Sequence, residues 1–151
     1  MKNKTNRNGF TLIELLVVIS IIGVLTALFL SNFVGIRGRA KDTKLKSDLN
    51  QLKTAMRLYY NDNQTYPANS SNTFTSCSGG SCSPGDEFNS GAGGTVYMSV
   101  LPEYDEYVRT AGGDGFYAGV LLDNASDADI ADSAAKCGIA GTASTFYVCS
   151  E

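Results

Sequence analysis

The chain has 151 residues, room for one compact domain with an extension and not for two full domains. It contains no His and no Trp, which removes the commonest general base and the commonest metal ligand and excludes a Ser-His-Asp enzyme. The formal net charge of −3 is segregated, with seven bases against two acids in residues 37–57 and two bases against twelve acids in residues 58–151; so acidic a C-terminal part disfavours nucleic acid as a direct partner.

Residues 1–9 (MKNKTNRNG) carry three bases and no acid. Residues 10–36 then form an apolar block, FTLIELLVVISIIGVLTALFLSNFVGI, in which Glu14 is the single charge. As a helix the block extends about 40 Å, enough to cross a hydrocarbon core of about 30 Å with tilt. It is too long for an ordinary secretory signal, and no small-x-small cleavage site follows it. A plain transmembrane anchor is the simplest reading, and Glu14 speaks against it. A carboxylate on a lipid-facing helix is costly and rarely lacks a partner. Glu14 lies four residues after Phe10, one helical turn. A cut between Gly9 and Phe10 creates an α-ammonium on Phe10 in the same apolar surroundings, where the two charges attract and each lowers the cost of burying the other. The pairing is either within the chain or with a neighbouring copy.

The run Gly9-Phe10-Thr11-Leu12-Ile13-Glu14, continued by LLVVISIIGVL, resembles the class III signal of type IV prepilins and type II secretion pseudopilins. The resemblance implies that a membrane-bound aspartyl prepilin peptidase cuts after Gly9, that Phe10 is then N-methylated, and that Glu14 serves assembly. It also implies the partners: other copies of this chain or related pilins in a filament, an inner-membrane assembly platform, and the membrane itself before assembly. The subunit would be a single-pass protein of the cytoplasmic membrane first and part of an extracellular or periplasmic filament afterwards. Many members of that family have a Pro in the apolar helix where this chain has Ser31, and here no Pro occurs before Pro67. Gly23, Gly35 and the Ser31-Asn32 pair are the only weak points in its place.

From residue 37 the composition turns polar while the helical period persists. Leu45, Leu49, Leu52, Met56 and Tyr59 follow one face, and charged residues fill the other. No breaker separates this stretch from the apolar block, so one helix is expected from about Phe10 to about Asn61, on the order of 80 Å long. Its parts are the apolar segment 10–36 and an amphipathic segment 37–62 that docks on a head, 63–151. The bases on the amphipathic segment read as a solvated face meeting acidic neighbours rather than as a phosphate site. Asn61-Asp62-Asn63 and Tyr66-Pro67 end the helix.

Residues 68–95 are rich in Ser, Asn, Gly and Thr and include Cys77 and Cys82, the composition of a stapled loop. Its position is that of the variable loop between helix and sheet in pilins, which implies a place on the fibre surface. Strands are expected at Thr95–Leu101, Gly115–Asp123 and Thr145–Cys149, with a shorter one near Tyr107–Thr110. Three or four antiparallel strands on the amphipathic helix make an α+β head, a pilin-like fold.

The four cysteines all follow residue 76, none forms a C-x-x-C, and without His a zinc site is disfavoured. Of the three possible pairings, Cys77–Cys82 with Cys137–Cys149 closes the shortest loops. The second of these also resembles, in position, the C-terminal disulfide loop of many pilins. Asp123, Asp127 and Asp129 are the one possible metal constellation, suited to calcium. Major pseudopilins of type II secretion bind calcium near this place, but the stretch lacks the Gly and the terminal Glu of an EF-hand. The competing reading is a short helix capped by the S-x-x-D pair Ser126 and Asp129, and no cofactor is expected.

The leading function is a structural subunit of a type IV filament, not an enzyme. A pilin is favoured over a secretion or competence-type pseudopilin because of the polar loop and the paired cysteines. The alternative from another class is a membrane-anchored extracytoplasmic binding module, which predicts no cut after Gly9 and no role for Glu14.

Overall fold

The structure, a computed structural model, describes residues 9–30, 33–77, 80–91, 93–140 and 144–150. It divides into two units, residues 1–37 and 38–151. The first contains α1 (Leu12–Leu30) and the start of α2 (Phe33–Asn63). α1 is apolar all round, and every large apolar side chain from Phe10 to Phe29 is at least 45% exposed. Its hydroxyls turn inward on the backbone: Ser20 Oγ donates to the Val17 carbonyl (2.8 Å) and Thr26 Oγ1 to that of Ile22 (2.7 Å). Such a helix presents no unpaired hydroxyl to an apolar medium. The expected weak point at Ser31-Asn32 lies outside the described residues, as do residues 1–8 of the leader.

In the second unit α2 buries the face that its periodicity marks. Leu45, Leu49, Leu52, Ala55 and Met56 are buried, and Tyr59 and Tyr60 pack against the same core. The helix runs two residues beyond the expected end. It stops at Gln64, whose φ of 56° is the left-handed conformation that breaks helical bonding.

The main sheet has three antiparallel strands in the order β5 (Glu106–Arg109), β6 (Phe116–Leu121), β7 (Thr145–Cys149). Val108 lies opposite Tyr117, and Val120 opposite Phe146. The central Gly119 faces Tyr147, and a Cβ there would meet that ring at 2.8 Å, so the glycine makes room for the tyrosine. Between β6 and β7 lies α3 (Ala128–Lys136), which buries Ile130, Ser133 and Ala134.

Two expectations are corrected. The strand expected at Thr95–Leu101 is only β4 (Val96–Met98), and it does not join the main sheet. It pairs with β3 (Phe88–Asn89), because the positive φ angles of Gly91 and Gly93 let the chain turn straight back on itself. The stretch 68–95 is also not a plain surface loop. It contains a second small ribbon, β1 (Asn69–Ser70) with β2 (Thr73–Phe74), and it sinks Phe74, Phe88, Cys82 and Asn89 into the core at 0–2% exposure. Phe74 stands against Phe88, Tyr104 and Tyr107 with ring centroids 5.2, 5.6 and 5.0 Å apart, and Phe88 stacks on Tyr59 of α2 at 5.4 Å. Tyr107 is fully buried, and its hydroxyl donates to the Pro67 carbonyl (2.9 Å). Two large rings outweigh the polar composition around them, since each buries on the order of 150–250 Å².

Candidate functional site

The first turn of α1 is built by Thr11 and Glu14. The Glu14 N–H donates to Thr11 Oγ1 (3.3 Å), while the Thr11 N–H and hydroxyl both donate to Glu14 Oε2 (2.9 and 2.6 Å). The Leu15 N–H donates to the Thr11 carbonyl, the first bond of the helix. This is a reciprocal capping box, with Thr11 as N-cap and Glu14 at the third helical position. The T-x-x-E spacing carries it in the sequence, where Glu14 stands out first as the single charge of an apolar block. Both bonds fall on Oε2, and among the described residues Oε1 accepts none. Gly9 and Phe10 precede the cap in open surroundings. Phe10 is 78% exposed, and among the described residues, chain neighbours aside, no atom lies within 4 Å of where a Cβ on Gly9 would stand. Glu14 follows Phe10 by four residues, with the N-cap Thr11 between them. Leu12–Phe29, which follows, is long and apolar enough to cross a membrane.

Residues 4–30 match the prokaryotic N-terminal methylation motif. This is a prepilin-type N-terminus. The chain is 41% identical over 64 residues to the type IV major pilin protein PilA of Myxococcus xanthus, which covers 42% of this chain and 29% of that protein. It is 44% identical over 64 residues to the type IV wide pilus major component PilA4 of Thermus thermophilus, covering 42% of this chain and 49% of the relative. It is 42% identical over 67 residues to the type II secretion system core protein G of Escherichia coli, covering 44% and 46%. The chain thus spans less than half the length of these relatives. No solved structure matches it.

Beyond the prepilin-type segment, the structure bonds Cys77 to Cys82 and Cys137 to Cys149. The three acids singled out in the sequence are not gathered on one point. Asp123 faces Lys41 (3.5 Å), whereas Asp127 and Asp129 share Lys46, whose Nζ lies 2.6 and 2.7 Å from their Oδ2 atoms. Among the described residues no group of three or more His, Cys, Asp or Glu is placed to hold a metal ion. The hydrogen bond from Lys46 holds the Asp127 carboxyl below its ordinary range, helped by the Asp129 N–H. Partial burial pulls the Lys46 pKa down, but the hydrogen bonds and charges of the two aspartates outweigh it and leave it raised.

The short helix is present, with a different cap. Its N-cap is Asp127, which accepts from the Asp129 N–H (3.0 Å), and not Ser126. Ser126 is still in the preceding turn, where its N–H donates to Asn124 Oδ1 (3.3 Å).

Sequence reasoning missed Asp42, an acid inside the basic run. It is 2% exposed and accepts the N–H groups of Asp123 (2.8 Å) and Asn124 (2.9 Å), one on each carboxylate oxygen. Nothing local in the sequence marks it, because its partners are more than 80 residues away. Asp42→Asn turns an amide NH2 toward one of those N–H groups. It should cost about 1.5–3 kcal/mol, the range for hydrogen bonds to a charged acceptor, read as a lower denaturation midpoint at unchanged slope.

Proposed function

We infer that the chain is the precursor of a structural subunit of a type IV filament. It is cut between Gly9 and Phe10 by a prepilin peptidase, N-methylated on Phe10, held in the cytoplasmic membrane by α1, and then passed by an inner-membrane platform into a fibre of itself or related pilins. The observation that carries the reading is the pairing of an exposed Gly9-Phe10 segment with an α1 that leaves its large apolar side chains open and holds one carboxylate in its first turn. A helix with so many large apolar side chains open needs lipid or other copies of itself. Similarity to pilus components and to a secretion core protein supports the same class, which is structural rather than catalytic. Within it, the paired cysteines favour a pilin over a pseudopilin.

The test is the intact mass and N-terminal sequence of the protein recovered from sheared surface fibres. The expected chain starts at methylated Phe10. A chain that keeps residues 1–9 and stays in the membrane would overturn the reading in favour of the anchored binding module.

A further inference from the structure

The acidic turn from Asp123 to Asp129 is gripped by two residues one helical turn apart on α2. Asp42 takes one end, with the N–H groups of Asp123 and Asn124 on its two oxygens. Lys46 takes the other, with Asp127 and Asp129 on its ammonium. The Lys46 side chain is only 17% exposed, and its Nζ lies 5.9 Å from the centroid of the Phe146 ring on β7. The ammonium therefore sits between helix, turn and sheet.

A calcium ion at this turn requires about six to eight oxygen ligands at roughly 2.3–2.6 Å. Most of the side-chain oxygens that could supply them already have partners in the protein. Two carboxylate oxygens converge on one point, and Nζ stands at that point. Asp127 Oδ1 caps α3 through the Asp129 N–H, Asn124 Oδ1 accepts from Ser126, and Asp123 faces Lys41. The residues do not fit a calcium site of the kind that the resemblance to secretion pseudopilins brings to mind.

We propose that Lys46 is the resident cation of this turn: an ammonium supplied by the chain itself stands where a dissolved divalent ion would otherwise fasten an acidic turn to the helix, so the C-terminal half of the head folds without calcium. A single positive charge suffices for two carboxylates because one of them, Asp127, also caps α3 and faces the positive end of its dipole. Asp42 and Lys46 thus act as a pair of opposite sign, the anion holding the backbone N–H groups of the turn and the cation its side chains. The inference stands apart from filament formation, since it concerns the head alone.

The test is thermal unfolding of the full chain in detergent, followed by near-ultraviolet circular dichroism, with chelator or with millimolar calcium, together with calorimetric titration of calcium. The wild-type melting temperature is expected to be the same in both media, with no heat of calcium binding. Lys46→Ala is expected to melt about 5 °C or more below wild type in chelator, and Lys46→Arg to recover most of that loss. Micromolar calcium binding by the wild type, or a rise in its melting temperature with calcium, would overturn the proposal. So would a Lys46→Ala chain that melts with the wild type. If Lys46→Ala does not fold at all, the wild-type titration and Lys46→Arg decide alone.

Discussion

Phe74→Ala should lower the stability of the head by about 3–5 kcal/mol, the usual loss for a large aromatic side chain removed from a closed core. Phe74 has no exposed surface and stands against three other rings, those of Phe88, Tyr104 and Tyr107. Phe88 in turn stacks on Tyr59, so the cavity would open in the layer that fixes segment 68–98 to α2. Tyr107 borders the same cavity, and its hydroxyl has the Pro67 carbonyl as partner. Loss of Phe74 therefore loosens packing around a buried polar contact as well. A domain of this size has only about 5–15 kcal/mol in total, so the variant would be marginal at physiological temperature. The matched control is Val100→Ala, at 63% exposure in the same region, expected to stay within about 0.5 kcal/mol of wild type. Denaturation followed by tyrosine fluorescence separates the two, since the chain has eight Tyr and no Trp to mask them. Equal midpoints for both variants would mean that the segment is the surface loop its composition suggests.

That composition shows which levels of the fold are legible in the sequence. The buried stripe of α2 is readable because five side chains share one period, and β6 and β7 because aromatic and β-branched residues mark them, Phe116, Tyr117 and Val120 in one and Thr145 to Val148 in the other. The ribbons β1–β2 and β3–β4 have strands of two or three residues, too short for any alternation to show. What places them is tertiary: two phenylalanines and a cystine in a Ser- and Gly-rich frame. The cap of α1 can be read from the T-x-x-E spacing, since Thr11 and Glu14 are neighbours in sequence and bond directly to each other. The Lys46 clamp is not, because its partners are more than 80 residues away and a basic helix face gives no sign of which lysine is engaged. The cap of α3 falls between these cases. Asp and Ser both cap helices, and only the Asx turn at Asn124 shifts the start by one residue, from Ser126 to Asp127.

The Thr11–Glu14 box makes the assembly role of Glu14 separable from its structural one. Gln is accepted at the third position of a capping box, so Glu14→Gln keeps the helix start and removes only the charge. Glu14→Ala removes both, and Thr11→Ala removes the cap while leaving the carboxylate. If the proposed pairing with the Phe10 ammonium drives assembly, Glu14→Gln and Glu14→Ala should fail alike. Each would be cut after Gly9 yet appear in sheared fibres at about one-tenth of the wild-type amount or less, the size of effect that losing one charge-assisted contact has on an association. Thr11→Ala should fall between them and wild type, because Glu14 keeps its charge and the bond from the backbone N–H of residue 11 but loses the hydroxyl's bond to Oε2. The opposite order, with Glu14→Gln assembling normally and Thr11→Ala failing, would mean that the carboxylate matters as a helix cap and that contacts of the apolar helix alone hold the fibre. The physical ground for the first order is the position of Oε1. Thr11 occupies one oxygen of the carboxylate and orients the group, and among the described residues nothing donates to the other, which leaves it to accept from an ammonium of its own chain or of the next. In an apolar bundle the second choice makes a directional link between copies, since each subunit brings one acceptor and one donor four residues apart.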